Sequence, residues 1–225
     1  MLDVACGTGL VTFPAADAVG SSGAVVATDI SEVMVARVAA EAARRGLSHI
    51  SARRMDDEAL EFDDRSFDVV LCALGLMYVP DPHAALTQMR RVLKPGGRAS
   101  VAVWGARRNC GWAEICPIVD RRVASEVCPM FFQLGTGDLL RDTMQRAGFT
   151  DIDVSRLPTT LRYASGDDAC GAAFAGGPVA LASAKFDRHV RDEVHAEYLA
   201  SIESWRRGDA YDVAGEFVVA RGFAS

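Results

Sequence analysis

Short apolar runs alternate with helically spaced stretches through the first hundred positions, and glycine or polar turns separate them. Residues 2–6 (Leu2-Asp3-Val4-Ala5-Cys6) form an apolar run closed by Gly7-Thr8-Gly9. A helical spacing follows over 10–19, ended by Gly20 and the Ser21-Ser22-Gly23 turn. Residues 24–28 are rich in Val and Ala, as expected of a strand buried on both faces. Ser31 is placed to cap a helix with Glu32 in its first turn, running to Arg45 and stopped by Gly46. A weaker strand is predicted over 48–55 and a strongly apolar one over 67–73. Pro82 opens a helix to Leu93, Lys94-Pro95-Gly96-Gly97 makes a turn, and a fifth strand covers 98–104.

Strands alternating with helices at this spacing predict an α/β fold, a Rossmann-like doubly wound and mostly parallel sheet. A ligand then belongs outside the carboxyl ends of the strands, where the strand order reverses. The last third reads differently. Helices are predicted over 114–127 and 137–147, a strand over 150–157, two or three helices over 165–207, and a short strand over 216–220. The expected organisation is a single domain over 1–225, with a cofactor-binding core over 1–105. Substrate-side helices forming a lid, together with the last two strands, occupy 106–225.

At 225 residues the chain is long enough for one α/β domain without a disulfide or metal staple. Its net charge of −6 argues against a nucleic-acid or anionic-membrane partner, since the Arg pairs are scattered and offset by acids. No apolar run approaches the ~20 residues that span a bilayer, and no secretory signal precedes the first strand. The cytoplasm is therefore the expected compartment. None of the six cysteines forms a CxxC pair. Cys6 and Cys72 read as small buried hydrophobes. Cys110, Cys116 and Cys128 are close enough to suggest a soft-metal or arsenic site, against which stands the simpler reading of free buried thiols. No metal is assigned.

The strand running into Gly7-Thr8-Gly9 is the strongest chemical signal, because only glycine lets a ligand approach backbone so closely. Alone it is also compatible with a tight turn that holds nothing. Asp29 ends the second strand, where a carboxylate can accept both hydroxyls of a ribose; capping the next helix is the alternative, though Ser31 serves that purpose. Met34 is placed to cover an adenine face or to sit in the core. Asp56 follows the third strand on the ligand side, where it can accept from an exocyclic amine. Charge density alone would make the acidic run 56–58 a solvated loop.

The series LDVACGTG, TDIS-x-x-M, DDEAL-x-F-x-x-x-SFDVV and LKPGG resembles the class I S-adenosylmethionine-dependent methyltransferases. It is similar to the small-molecule branch that includes the ubiquinone and menaquinone biosynthesis C-methyltransferases. The resemblance covers residues 2–104 and implies S-adenosyl-L-methionine as cofactor and a small-molecule acceptor. It implies that Asp3, Gly7, Thr8 and Gly9 hold the methionine end, that Asp29 and Ile30 lie at the ribose, and that Asp56 and Asp57 form the adenine-side pair. Ala73, ending the fourth strand, matches a position whose backbone faces the cofactor.

A sulfonium already activates its methyl group, so the protein chiefly aligns nucleophile, methyl and sulfur. A base is needed only where the nucleophile must lose a proton early. His83 is the candidate by side-chain type, with an exposed helix-start histidine as the plainer reading. Trp104, Trp112, Met130, Phe131, Phe132 and Phe174 line an apolar acceptor pocket or else belong to the core. Relatives carry further residues before the first strand, so an open site with an exposed apolar face is expected, favouring homo-oligomers and slow turnover. Three readings stay open: an active methyltransferase, a cofactor-binding module or relic without turnover, and an NAD-dependent reductase. Thr12, standing where a dinucleotide loop wants its third glycine, weighs against the last.

Overall fold

The computed structural model describes residues 1–123 and 131–225. Eight strands among the described residues form one sheet in the order β3-β2-β1-β4-β5-β8-β6, with β7 paired antiparallel to β8. The strands are β1 (Leu2–Val4), β2 (Val25–Asp29), β3 (Ile50–Arg54), β4 (Phe67–Ala73), β5 (Leu93–Trp104), β6 (Phe149–Tyr163), β7 (Arg206–Arg207) and β8 (Ala210–Ala224). The five N-terminal strands pair in parallel, and the order reverses between β1 and β4. The α/β, mostly parallel architecture is the one the alternating pattern predicts.

Eight helices lie among the described residues: α1 (Thr12–Val19), α2 (Glu32–Arg44), α3 (Pro82–Val92), α4 (Ile115–Asp120), α5 (Leu139–Arg146), α6 (Gly166–Phe174), α7 (Gly177–Ser183) and α8 (Arg188–Ser201). Contacts divide the chain into two units. The first is Met1–Val103 with Asp138–Ser155 and Val218–Ser225; the second is Trp104–Gly137 with Arg156–Phe217. Residues 138–155 and 218–225 thus group with Met1–Val103 by contacts.

The first unit is held by a face of α1 and α2 against β2. Phe13, Val38 and Ala42 bury themselves against Ala27 and Cys6, while Ala15 and Ala16 pack on Val25. Ser31 caps α2 by accepting from the Met34 N–H, and Asp81 caps α3 by accepting from both His83 and Ala84 N–H at 3.0 Å. Leu86, Met89 and Val92 give α3 a fully buried stripe.

Several predicted boundaries move. The fifth strand begins at Leu93, not residue 98. Leu93 pairs with Phe67 and Arg98 with Val69, so Lys94-Pro95-Gly96-Gly97 bulges out inside the strand. The Lys94 ammonium meets the Asp68 carboxylate there at 2.8 Å. The strands predicted over 150–157 and 216–220 are far longer, as β6 and β8. Of the helix predicted over 114–127, α4 accounts for Ile115–Asp120, and residues 124–127 lie outside the described part, as do Cys128 and Met130. The 165–207 stretch forms three helices.

Candidate cofactor site

The carboxyl ends of β1 and β2 meet through one side chain. Asp29 is buried, its Oδ2 accepting from the Gly7 N–H and its Oδ1 from the Ser31 N–H, both at 2.8 Å. It therefore ties the loop after β1 to the start of α2. A carboxylate has about four lone-pair positions, so each oxygen keeps one for a ligand hydroxyl.

Ala5, Gly7 and Gly9 all have positive φ, at 53°, 53° and 87°. A Cβ built on Gly7 meets nothing within 4 Å, whereas one on Gly9 would lie 2.5 Å from the Phe13 ring. The two glycines thus differ: Gly9 makes room for the core, and Gly7 faces open space. Ala5 holds its left-handed conformation against Gly75, where a Cβ would fall 2.2 Å from that of Ala5. Neither Gly75 nor the left-handed Leu74 (φ 61°) carries a motif that sequence reading could have found.

Asp3 does not reach the surface. It is 1% exposed and accepts from the Thr12 hydroxyl at 2.5 Å. Thr12, which the sequence marks only as a missing glycine, therefore satisfies the buried acid beneath the loop. Burial raises Asp3 to about 6, the Thr12 bond opposing and Asp29 adding to the rise. The acids after β3 separate. Asp56 is exposed, its Oδ1 taking the Glu58 N–H at 2.9 Å. Asp57 turns inward, 8% exposed, and its Oδ1 is buried with no hydrogen-bond partner. Burial, then Asp29, Asp56 and Glu58, push Asp57 up to about 7. Glu58 accepts from the Asp81 N–H at 2.8 Å, fastening this turn to the start of α3.

Thr8 and Ile30 are exposed, and Met34 and Ala73 are half-buried. His83 is exposed on the first turn of α3, where its N–H meets Asp81 and its carbonyl meets Thr87. Among the described residues only its backbone, not its ring, makes these hydrogen bonds. Cys6 and Cys72 are buried between these groups, with Cys6 pushed up to about 12 and Cys72 raised further, chiefly by burial. Both stay protonated thiols. A groove of about 730 Å³ touches the loop at Thr8 and Gly9 but opens between α1 and α2, beside Leu10, Arg37 and Arg45. None of the three buried acids lines it.

In the second unit Trp104 meets the Trp112 ring edge-on at 4.9 Å and the Phe217 ring at a tilt at 4.4 Å, and Trp112 meets Phe131 and Phe132 at 5.7 and 5.3 Å. These rings pack on one another. Phe174 lies apart, 4.6 Å from the His195 ring. Cys110 and Cys116 are buried, and no group of three metal-type side chains converges among the described residues. No helix there is long and apolar enough to cross a membrane.

The geometry fits an adenosine-bearing cofactor. It offers a strand-tip acid with free lone pairs, open space beside Gly7, and a buried acid oxygen without a partner. Comparison with known proteins agrees. A family described as "Methyltransferase domain" matches residues 1–97. Nocamycin O-methyltransferase of Saccharothrix syringae is 47% identical over 98 residues, 44% of this chain and 35% of that protein. Demethylmenaquinone methyltransferase of Staphylococcus carnosus is 33% identical over 167 residues, 68% of each chain. The phosphoethanolamine N-methyltransferase 2 of Haemonchus contortus, solved with S-adenosylhomocysteine and phosphomonomethylethanolamine, has the same fold. Its TM-score is 0.62 at 19% identity, over 100% of this chain and 48% of that one. The chain thus spans about a third of the first relative's length and two thirds of the second's.

Proposed function

The chain belongs to the class I S-adenosylmethionine-dependent methyltransferases, and we propose that it moves a methyl group from S-adenosyl-L-methionine to a small-molecule acceptor. The observation that carries this reading is Asp29, held between the Gly7 and Ser31 N–H groups with lone pairs left over beside an open glycine. Asp29 would accept the ribose hydroxyls. Gly7 and Thr8 would border the methionine end, and the turn at Asp56 and Asp57 would border the base. When bound, the cofactor supplies a methyl activated by its sulfonium. The chain's part is to orient the cofactor and exclude water, which needs no nucleophile of its own. His83 is not assigned a step, since its ring is exposed on α3. A single domain in the cytoplasm, self-association as a homo-oligomer, and no nucleic-acid partner complete the proposal, the last two supported by exposed Leu10, Ile30 and Val33 and by the net charge of −6.

Calorimetry with S-adenosylmethionine, S-adenosylhomocysteine and NADH tests the reading. The two sulfur compounds should bind and NADH should not. Asp29→Ala should weaken binding by roughly 2–4 kcal/mol through the loss of two charge-assisted hydrogen bonds. Undiminished affinity in that variant would remove Asp29 from the site.

A further inference from the structure

Where the strand order reverses, the chain leaves β1 and β4 side by side, and the two exits touch through their smallest residues. A Cβ placed on Gly75 would fall 2.2 Å from that of Ala5 and 3.6 Å from the Ala5 Cα. Both exits hold unusual backbone. Ala5 has φ 53°, and Leu74, immediately before Gly75, has φ 61°. A left-handed conformation strains any residue that carries a Cβ and persists only where its surroundings impose it. Here neighbouring strands impose it on each side. The Cys6 N–H donates to the Thr28 carbonyl and the Leu74 N–H to the Ala102 carbonyl, both at 2.8 Å.

The two exits are not equally firm. Gly75 is buried, the next two residues Leu76 and Met77 are buried as well, and its carbonyl accepts from the Tyr78 N–H at 2.9 Å. Ala5 is half-buried and leads to Gly7, which faces open space and whose N–H is the donor that Asp29 Oδ2 holds at 2.8 Å.

We propose that Gly75 is a positioning residue for the cofactor: by carrying no side chain, it lets the loop after β1 sit where the Gly7 N–H reaches Asp29. The inference rests on the methyltransferase reading, in which that loop and Asp29 border the cofactor. A methyl at Gly75 overlaps the Ala5 methyl outright, since unbonded carbons settle about 3.5–4 Å apart. The less firmly held side gives way, which is the loop from Ala5 to Gly7. Its displacement lengthens the Gly7–Asp29 hydrogen bond, and the carboxylate loses a donor that orients it toward a ligand hydroxyl. Cys72 Sγ, 3.3 Å from the same added methyl, needs to shift by only a few tenths of an ångström. Gly75 thus acts on the cofactor through Ala5, from the neighbouring strand.

The test moves the methyl from one exit to the other. Gly75→Ala, Ala5→Gly and the double variant are compared with the wild type by thermal melting and by calorimetry of S-adenosylhomocysteine binding, well below each melt. Gly75→Ala should bind about tenfold more weakly, as expected for a disturbed charge-assisted hydrogen bond. Ala5→Gly should stay within about threefold of the wild type, because glycine adopts the left-handed conformation without strain. The double variant, with the collision removed, should recover to within about threefold as well, a coupling that only residues in contact show. A purely structural contact would instead lower the melting temperature of Gly75→Ala and leave the affinity of the folded protein unchanged. That result, an equal loss in Ala5→Gly, or a double variant that binds no better than Gly75→Ala would each overturn the proposal and leave the methyltransferase reading standing. If Gly75→Ala does not fold, the double variant decides: weak binding or failure to fold there also overturns it. A wild-type protein that does not bind S-adenosylhomocysteine would remove the methyltransferase reading and this one together.

Discussion

At the scale of single residues, two acids of the candidate site also burden the fold by themselves. Asp3 and Asp57 titrate at about 6 and about 7 in the folded chain, each raised chiefly by burial. An unfolded aspartate titrates near ~3.9. Between these limits the folded chain holds protons that the unfolded chain has released, so stability falls as pH rises from about 4 through about 7. The melting temperature without ligand should therefore be higher at pH 5.5 than at pH 8, and Asp57→Asn should remove much of that difference. A melting temperature that rises over the same interval would show that these carboxyls are not buried in their neutral form. The sequence raised Asp29 as more than a cap because Ser31 supplies the cap, and in the fold Ser31 does cap α2 while Asp29 also takes the Gly7 N–H. Among the acids in 56–58 it favoured Asp56 by position, whereas Asp57 is the one that turns inward. Which of two adjacent carboxyls turns inward depends on the backbone path after β3, and that path is set by the Glu58–Asp81 contact with an element more than twenty positions away.

At the scale of elements, legibility followed burial. Strands β1, β2 and β4 lie inside a parallel sheet with helices packed on it, so their sequences are near-continuous apolar runs bounded by glycine and polar turns. β6 is an edge strand of the sheet and mostly exposed, and the alternating pattern that predicts it ends at Leu157, just before Pro158. Proline cannot continue a central strand but is tolerated at an edge, where its missing N–H deprives no neighbour. β8 contains Gly215 and Gly222, and residues such as Phe149 and Ile152 pack close to the second of them. A pair of interior glycines reads as loop in the sequence and is here a close approach. The glycine loop gives the sharpest prediction at this scale. Gly7→Ala places a methyl in open space at positive φ, which costs about 1–2 kcal/mol in backbone strain and leaves the core untouched. It should fold and yet bind cofactor at least tenfold more weakly. Gly9→Ala should instead lose stability, as its methyl meets the Phe13 ring at 2.5 Å. Thermal melts paired with calorimetry separate the two outcomes.

For the whole molecule, the chain passes between its two units four times, at 103/104, 137/138, 155/156 and 217/218. Residues 218–225 belong to the first unit and bury Val218, Ala220 and Ala224 there. Arg90 on α3 reaches the same region, donating to the Gly148 carbonyl at 2.8 Å and to Ser225 at 3.1 Å. Deleting 218–225 should therefore lower the melting temperature of the cofactor unit itself and abolish cofactor binding, although every residue named for the site lies before position 84. Far-ultraviolet circular dichroism with heating checks this, and an unchanged melt would show that the unit closes without them. Sequence pattern alone placed these residues on the substrate side, since a pattern reports what a strand buries and not which elements it joins. The interleaving also fixes a timetable. Residues 1–103 leave the ribosome before 104–225, carrying the glycine loop and the acids Asp3, Asp29 and Asp57, but without residues 138–155 and 218–225 of the same unit. Compact domains commonly fold as they emerge; this cofactor unit must wait for the second unit to be synthesised, its unfinished edge exposed meanwhile to whatever chaperone attends the nascent chain.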